Sequence, residues 1–98
     1  MEEQDRLAAL KTDLGFTGGG AGNRIDERLT QLLQAAEKAI KAEGAATLDP
    51  SQLEDAQLVI MYAAWLWRRR DTGAAMPRML RWSLNNRIFA EKMKQGAT

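Results

Sequence analysis

Leu58-Val59-Ile60-Met61-Tyr62-Ala63-Ala64-Trp65-Leu66-Trp67 is the stretch on which the fold turns. These ten residues carry no charge. A membrane span needs about 20 apolar residues, so the run is predicted to be the buried middle of a helix. Its start signal lies upstream. Asp49 is placed as N-cap, Pro50 at N1 and Gln52 at N3, a capping-box-like pair. Leu48 and Leu53 flank the start as a hydrophobic staple. Arg68-Arg69-Arg70 closes the helix, where cations offset the dipole. A helix that is apolar all round must be enclosed on all sides.

Working outward, three more helices are expected. Leu7, Leu10 and Leu14 share one face of a first helix, about 4–14, with Gly15 as its C′ residue. Ile25, Leu29, Leu32, Leu33, Ala36, Ala39 and Ile40 make the apolar stripe of a second, about 24–43, with Asn23 as N-cap and Gly44 as its end. The Gly18–Gly22 stretch between them reads as a flexible connector, since no strand precedes it and no Lys-Ser or Lys-Thr follows. The third helix spans about 50–70. The fourth, about 77–94 with Pro77 at N1, carries two stripes on nearly opposite sides. Leu80, Leu84 and Ile88 form one. Met79, Trp82, Asn86, Phe89 and Met93, spaced 3-4-3-4, form a coiled-coil-like seam. The expected architecture is all-α, one four-helix orthogonal or bundle-like domain over residues 1–98 with the third helix at its centre.

A 98-residue domain buries only about 60–65% of its unfolded surface and often needs outside support. With no cysteine or histidine, neither disulfides nor a typical zinc site can supply it. Oligomerisation remains. Cysteine-free composition fits a reducing, cytosolic origin, and the acidic start Met1-Glu2-Glu3-Gln4-Asp5 lacks the features of a secretory signal. Met61 and Trp65 of the third helix and Met79, Trp82, Asn86, Phe89 and Met93 of the fourth are the candidate oligomer interface. Residues 1–55 hold eleven acids and six bases; residues 56–98 hold two acids and eight bases. These halves, net −5 and +6, either pair between copies or neutralise each other within one chain.

No catalytic constellation is visible. The usual general base and the easiest nucleophile are absent. Glu54 and Asp55 are adjacent in a first helical turn and point apart. No enzyme activity, cofactor, metal or small-molecule substrate is expected. Arg68, Arg69, Arg70, Arg78 and Arg81 are the candidate contacts to phosphate, DNA or an acidic partner, and the phosphate surface also takes in Arg87. They keep a second reading open: a small phage nucleic-acid-binding module acting in packaging or regulation.

The order of motifs resembles the phage head–tail connector family, small helical adaptors that dock beneath the portal. Three segments carry the resemblance: Leu10-Lys11-Thr12-Asp13-Leu14-Gly15-Phe16; Ile25-Asp26-Glu27-Arg28-Leu29 continuing through Leu33-Gln34-Ala35-Ala36-Glu37-Lys38-Ala39-Ile40; and Arg68-Arg69-Arg70-Asp71 followed by Met76-Pro77 and Leu80-x-x-x-Leu84-Asn85-Asn86-Arg87. The resemblance spans about residues 7–93. The glycine-rich loop and the continuation Ile88-Phe89-Ala90-Glu91-Lys92-Met93 depart from the family's pattern. It implies a structural protein of the virion, assembled in the bacterial cytoplasm or encoded in a prophage. Copies would form a ring that bridges portal and tail proteins and extends the DNA channel, touching DNA non-specifically and no membrane.

Overall fold

The apolar run is the middle of a helix spanning Leu53–Thr72, the third of four in the computed structural model. The structure describes residues 1–16 and 23–96. The helices are α1 (Glu3–Asp13), α2 (Asn23–Glu43), α3 (Leu53–Thr72) and α4 (Arg78–Gly96), with no strand among the described residues. The protein is an all-α single domain. The Gly18–Gly22 connector lies outside the described residues, as does the Asn23 side chain; Asn23 itself is the first residue of α2.

The core follows from helical spacing. Leu29, Leu32, Leu33, Ala36 and Ile40 of α2 are buried against α3, and Leu10 of α1 is fully covered. Short α1 is tied down at both ends. The Met1 ammonium donates to the Ser51 carbonyl, and Arg6 donates to the carbonyls of Met1 and Pro50. At the far end Arg68 Nη2 donates to the Asp13 carbonyl at 2.9 Å. These anchors supply what a helix of eleven residues lacks alone.

The start of α3 differs from the expectation. Asp49 caps a turn that precedes the helix: its Oδ1 accepts from Ser51 N–H at 3.0 Å and Ser51 Oγ at 2.6 Å. The helix begins at Leu53, with Gln52 as an N-cap that makes no side-chain capping bond. The staple does not form either: Leu48 is buried, whereas Leu53 is 58% exposed. The local Asp49–Ser51 bonds compete with the helix, the usual behaviour of Asp and Ser near a proline. Pro77 is likewise one position outside α4, its carbonyl accepting the Arg81 N–H at 3.0 Å. At the other end α3 runs two residues past Arg70. Gly73, in the left-handed region at φ 64°, then returns its N–H to the Arg69 carbonyl.

One chain encloses the apolar run further than its size suggests. Six of the ten residues are buried, and Met61, Trp65, Leu66 and Trp67 are half-buried. The tryptophans are roofed by the polar groups around them. Arg69 lies 4.9 Å over the Trp65 ring and Arg70 3.9 Å over Trp67. Phe16 meets Trp67 edge-on at 5.7 Å, and Tyr62 meets Trp65 at 5.4 Å. Trp65 Nε1 donates to the Ala74 carbonyl at 3.1 Å, latching the α3–α4 turn onto the helix.

Candidate functional site

The two stripes of α4 have opposite fates. Leu80 and Leu84 are fully buried and Ile88 is partly buried. On the other side Met79 (67%), Trp82 (62%), Phe89 (63%) and Met93 (61%) are exposed, and Asn86 is exposed between them. Nothing among the described residues covers this face. Soluble monomers rarely show contiguous apolar patches beyond a few hundred Å², so the outer face of α4 is the candidate functional site.

A polar clamp holds α4 in place so that this face points outward. Glu91 falls on the buried side, 2% exposed beneath a thin cover. Its Oε1 accepts from Thr47 N–H at 2.7 Å and Thr47 Oγ1 at 2.6 Å. Those bonds hold its carboxyl below the ordinary glutamate range. Arg87 Nε donates to Asp55 Oδ1 at 2.8 Å, and Nη2 reaches Asp55 Oδ2 at 3.4 Å and Thr47 Oγ1 at 3.3 Å. The Asp55 hydrogen bond raises the Arg87 pKa above its ordinary value. Asp55 Oδ2 also accepts the Asp49 N–H at 2.9 Å, which ties the α3 entry to α4. Ile88 packs on Gly44, where its Cγ2 stands 3.1 Å from the position a Cβ would take. The clamp was not anticipated from sequence. The one available signal was Glu91 continuing the buried spacing of Leu80, Leu84 and Ile88.

Asp55 meets Arg87, and Leu53 and Glu54 share a shallow groove with Ala90 and Lys94. The start of α3 therefore lies beside the end of α4, and the two helices run antiparallel. A second, open groove of about 560 Å³ lies between them, bordered by Gln57, Met61, Trp82 and Asn86. Met61 thus adjoins the α4 face. Trp65 is half-buried and engaged with Tyr62, Arg69 and Ala74.

The basic candidates do not gather into one free surface. Arg68 holds the end of α1, and Arg69 and Arg70 stack on tryptophans. Arg81 pairs with Glu43 at 3.6 Å. Arg87, 15% exposed on its side chain, faces inward to Asp55 and is no phosphate contact. Arg78 is exposed beside Met79. Arg81–Glu43 and Arg87–Asp55 join the basic half to the acidic half within one chain, so part of the charge asymmetry is neutralised internally.

Among the described residues no cluster of acids could hold a metal ion, and no helix is long and apolar enough to cross a membrane. Comparison with protein-family models, curated proteins and solved structures finds no match.

Proposed function

We propose that this protein is a structural assembly protein of a phage virion. Its copies form an oligomeric ring that joins portal to tail and extends the DNA channel. It is assembled in the bacterial cytoplasm, or from a prophage, and performs no catalysis. The observation that carries the reading is the uncovered apolar face of α4, Met79, Trp82, Phe89 and Met93, on a chain that already buries its own core. A surface of that kind on a small domain is made for another protein. The ordered motif resemblance over about residues 7–93 is what points this assembly to the portal. The engagement of Arg68, Arg69 and Arg70 in contacts within the chain favours assembly over a nucleic-acid-binding module.

Native mass spectrometry and light scattering across concentration, with and without the portal protein of the same phage genome, test the proposal. Rings, or binding to the portal, are expected. A strict monomer in every condition with no portal binding refutes it. DNA affinity that falls steeply with salt and disappears on replacing Arg68, Arg69 and Arg70 by Ala would instead favour the nucleic-acid reading.

A further inference from the structure

The exposed large hydrophobics Leu53, Met79, Trp82, Phe89 and Met93 mark one side of the α3–α4 hairpin: four line the outer stripe of α4, and Leu53 borders it through the groove with Ala90 and Lys94. A head-to-tail contact joins two different, complementary patches, whereas a two-fold contact joins one patch to itself. Only this one apolar face is on offer among the described residues. We propose that the free protein is a two-fold symmetric dimer in which the α4 stripe of one copy packs antiparallel on the α4 stripe of a second copy, with the axis at Asn86.

Three observations point to this pairing. The first is the spacing of the stripe, which is nearly symmetric about its centre. Antiparallel packing on Asn86 sets Met79 against Met93 of the second copy and Trp82 against Phe89. Each Asn86 amide meets its own copy, donating and accepting one hydrogen bond each way. A lone polar residue in a seam of this kind fixes the register.

The second is charge. Arg78 stands exposed at the start of α4, whereas the end of α4 lies beside Glu54 at the start of α3. Asp49 lies just before Glu54, and the Met1–Ser51 contact brings the acidic N-terminus to the same end. Antiparallel packing sets Arg78 of each copy against the acidic end of the other, twice over. Lys92 and Lys94 share that end and lessen the match. Parallel packing would set Arg78 on Arg78.

The third is area. The four stripe side chains present on the order of 500 Å² of apolar surface. Leu53, Met61, Asn86 and the rim carry this toward the roughly 800 Å² per partner of a standard interface. The contact closes after two copies, so it covers the face without growing a polymer. The dimer occupies the same α4 face that carries the virion reading; within that reading it is the resting form, and the face is released when copies assemble on the portal.

The absence of cysteine makes the test clean. Single-cysteine variants Asn86→Cys, Met79→Cys and Met93→Cys of the full chain are oxidised at a concentration where sedimentation reports association, and circular dichroism confirms that each is folded. The expected results are a wild-type mass of two chains and rapid self-crosslinking of Asn86→Cys. Met79→Cys is expected to crosslink to Met93→Cys in a mixture faster than to itself. Trp82→Glu should weaken association at least about tenfold. A wild-type monomer up to millimolar concentration overturns the proposal. So does an associated state in which Asn86→Cys stays unlinked, or in which Met79→Cys links best to itself. Rings or portal binding with an unlinked Asn86→Cys would overturn the dimer and leave the virion reading intact.

Discussion

Replacing Asp55 by Ala isolates the polar clamp that orients α4. Asp55 accepts two hydrogen bonds from Arg87, at 2.8 and 3.4 Å, and one from the Asp49 N–H at 2.9 Å. The two side chains of the ion pair are only 15% and 13% exposed. Removing one partner of a fully buried pair costs about 3–5 kcal/mol, because the other charge is left stranded. Here Arg87 keeps Thr47 Oγ1 at 3.3 Å and Glu91 at 3.6 Å, and some water reaches the pair. The expected loss is therefore about 2–3 kcal/mol. For a domain of this size that corresponds to a fall in Tm of roughly 10–20 °C. Urea and thermal unfolding followed by circular dichroism measure it. All samples should be run at one low concentration, since association adds apparent stability by mass action. The double variant Asp55→Ala/Arg87→Met removes the stranded charge and should lose less than the sum of the two single variants. A change within about 0.5 kcal/mol for Asp55→Ala, or strict additivity in the cycle, would refute the reasoning.

Other predictions rest on separate contacts. Gly44→Ala forces a side chain into φ +136° and places its Cβ 3.1 Å from Ile88 Cγ2; urea unfolding should show a loss of about 1–2 kcal/mol. Leu84→Ala empties a fully buried site and should cost about 3–5 kcal/mol by the same measurement. The Thr47 hydrogen bonds hold the Glu91 carboxyl below its ordinary value of 4.5. Because the folded-state value lies under the unfolded one, the stabilisation is fully present above pH 4.5 and fades as pH falls toward the lowered value. The stability difference between wild type and Glu91→Gln, followed across that range, should therefore shrink with acidification. A constant gap would show that the Thr47 contact does not shift the titration.

The sequence alone determines that this chain is all helical, and why. Leu29, Leu32, Leu33, Ala36 and Ile40 recur at a spacing only a helix places on one face, and the Leu58–Trp67 run is too short to cross a membrane and too apolar to lie in water. Those signals are local: a residue's period is set by its own neighbours in the chain. The opposed stripes of α4 were legible on the same ground, and so were Met79, Trp82, Phe89 and Met93 as candidates for contact. Helix starts were less legible. Asp49 has one set of bonds to offer, and only the packed α1 N-terminus and the Asp49 N–H to Asp55 bond decide that it serves a turn and leaves α3 to begin at Leu53.

What only the tertiary structure decided is which charged groups act in the interior. Thr47 and Glu91, like Asp55 and Arg87, are far apart in sequence and meet only because α4 folds back antiparallel to α3. That return also decides which stripe of α4 is spent on the core and which is left open. Periodicity alone cannot tell two apolar stripes apart. The side turned inward buries Leu80 and Leu84, and there Glu91 finds Thr47, Arg87 finds Asp55 and Ile88 finds Gly44, so the charges that this choice takes out of water are paired.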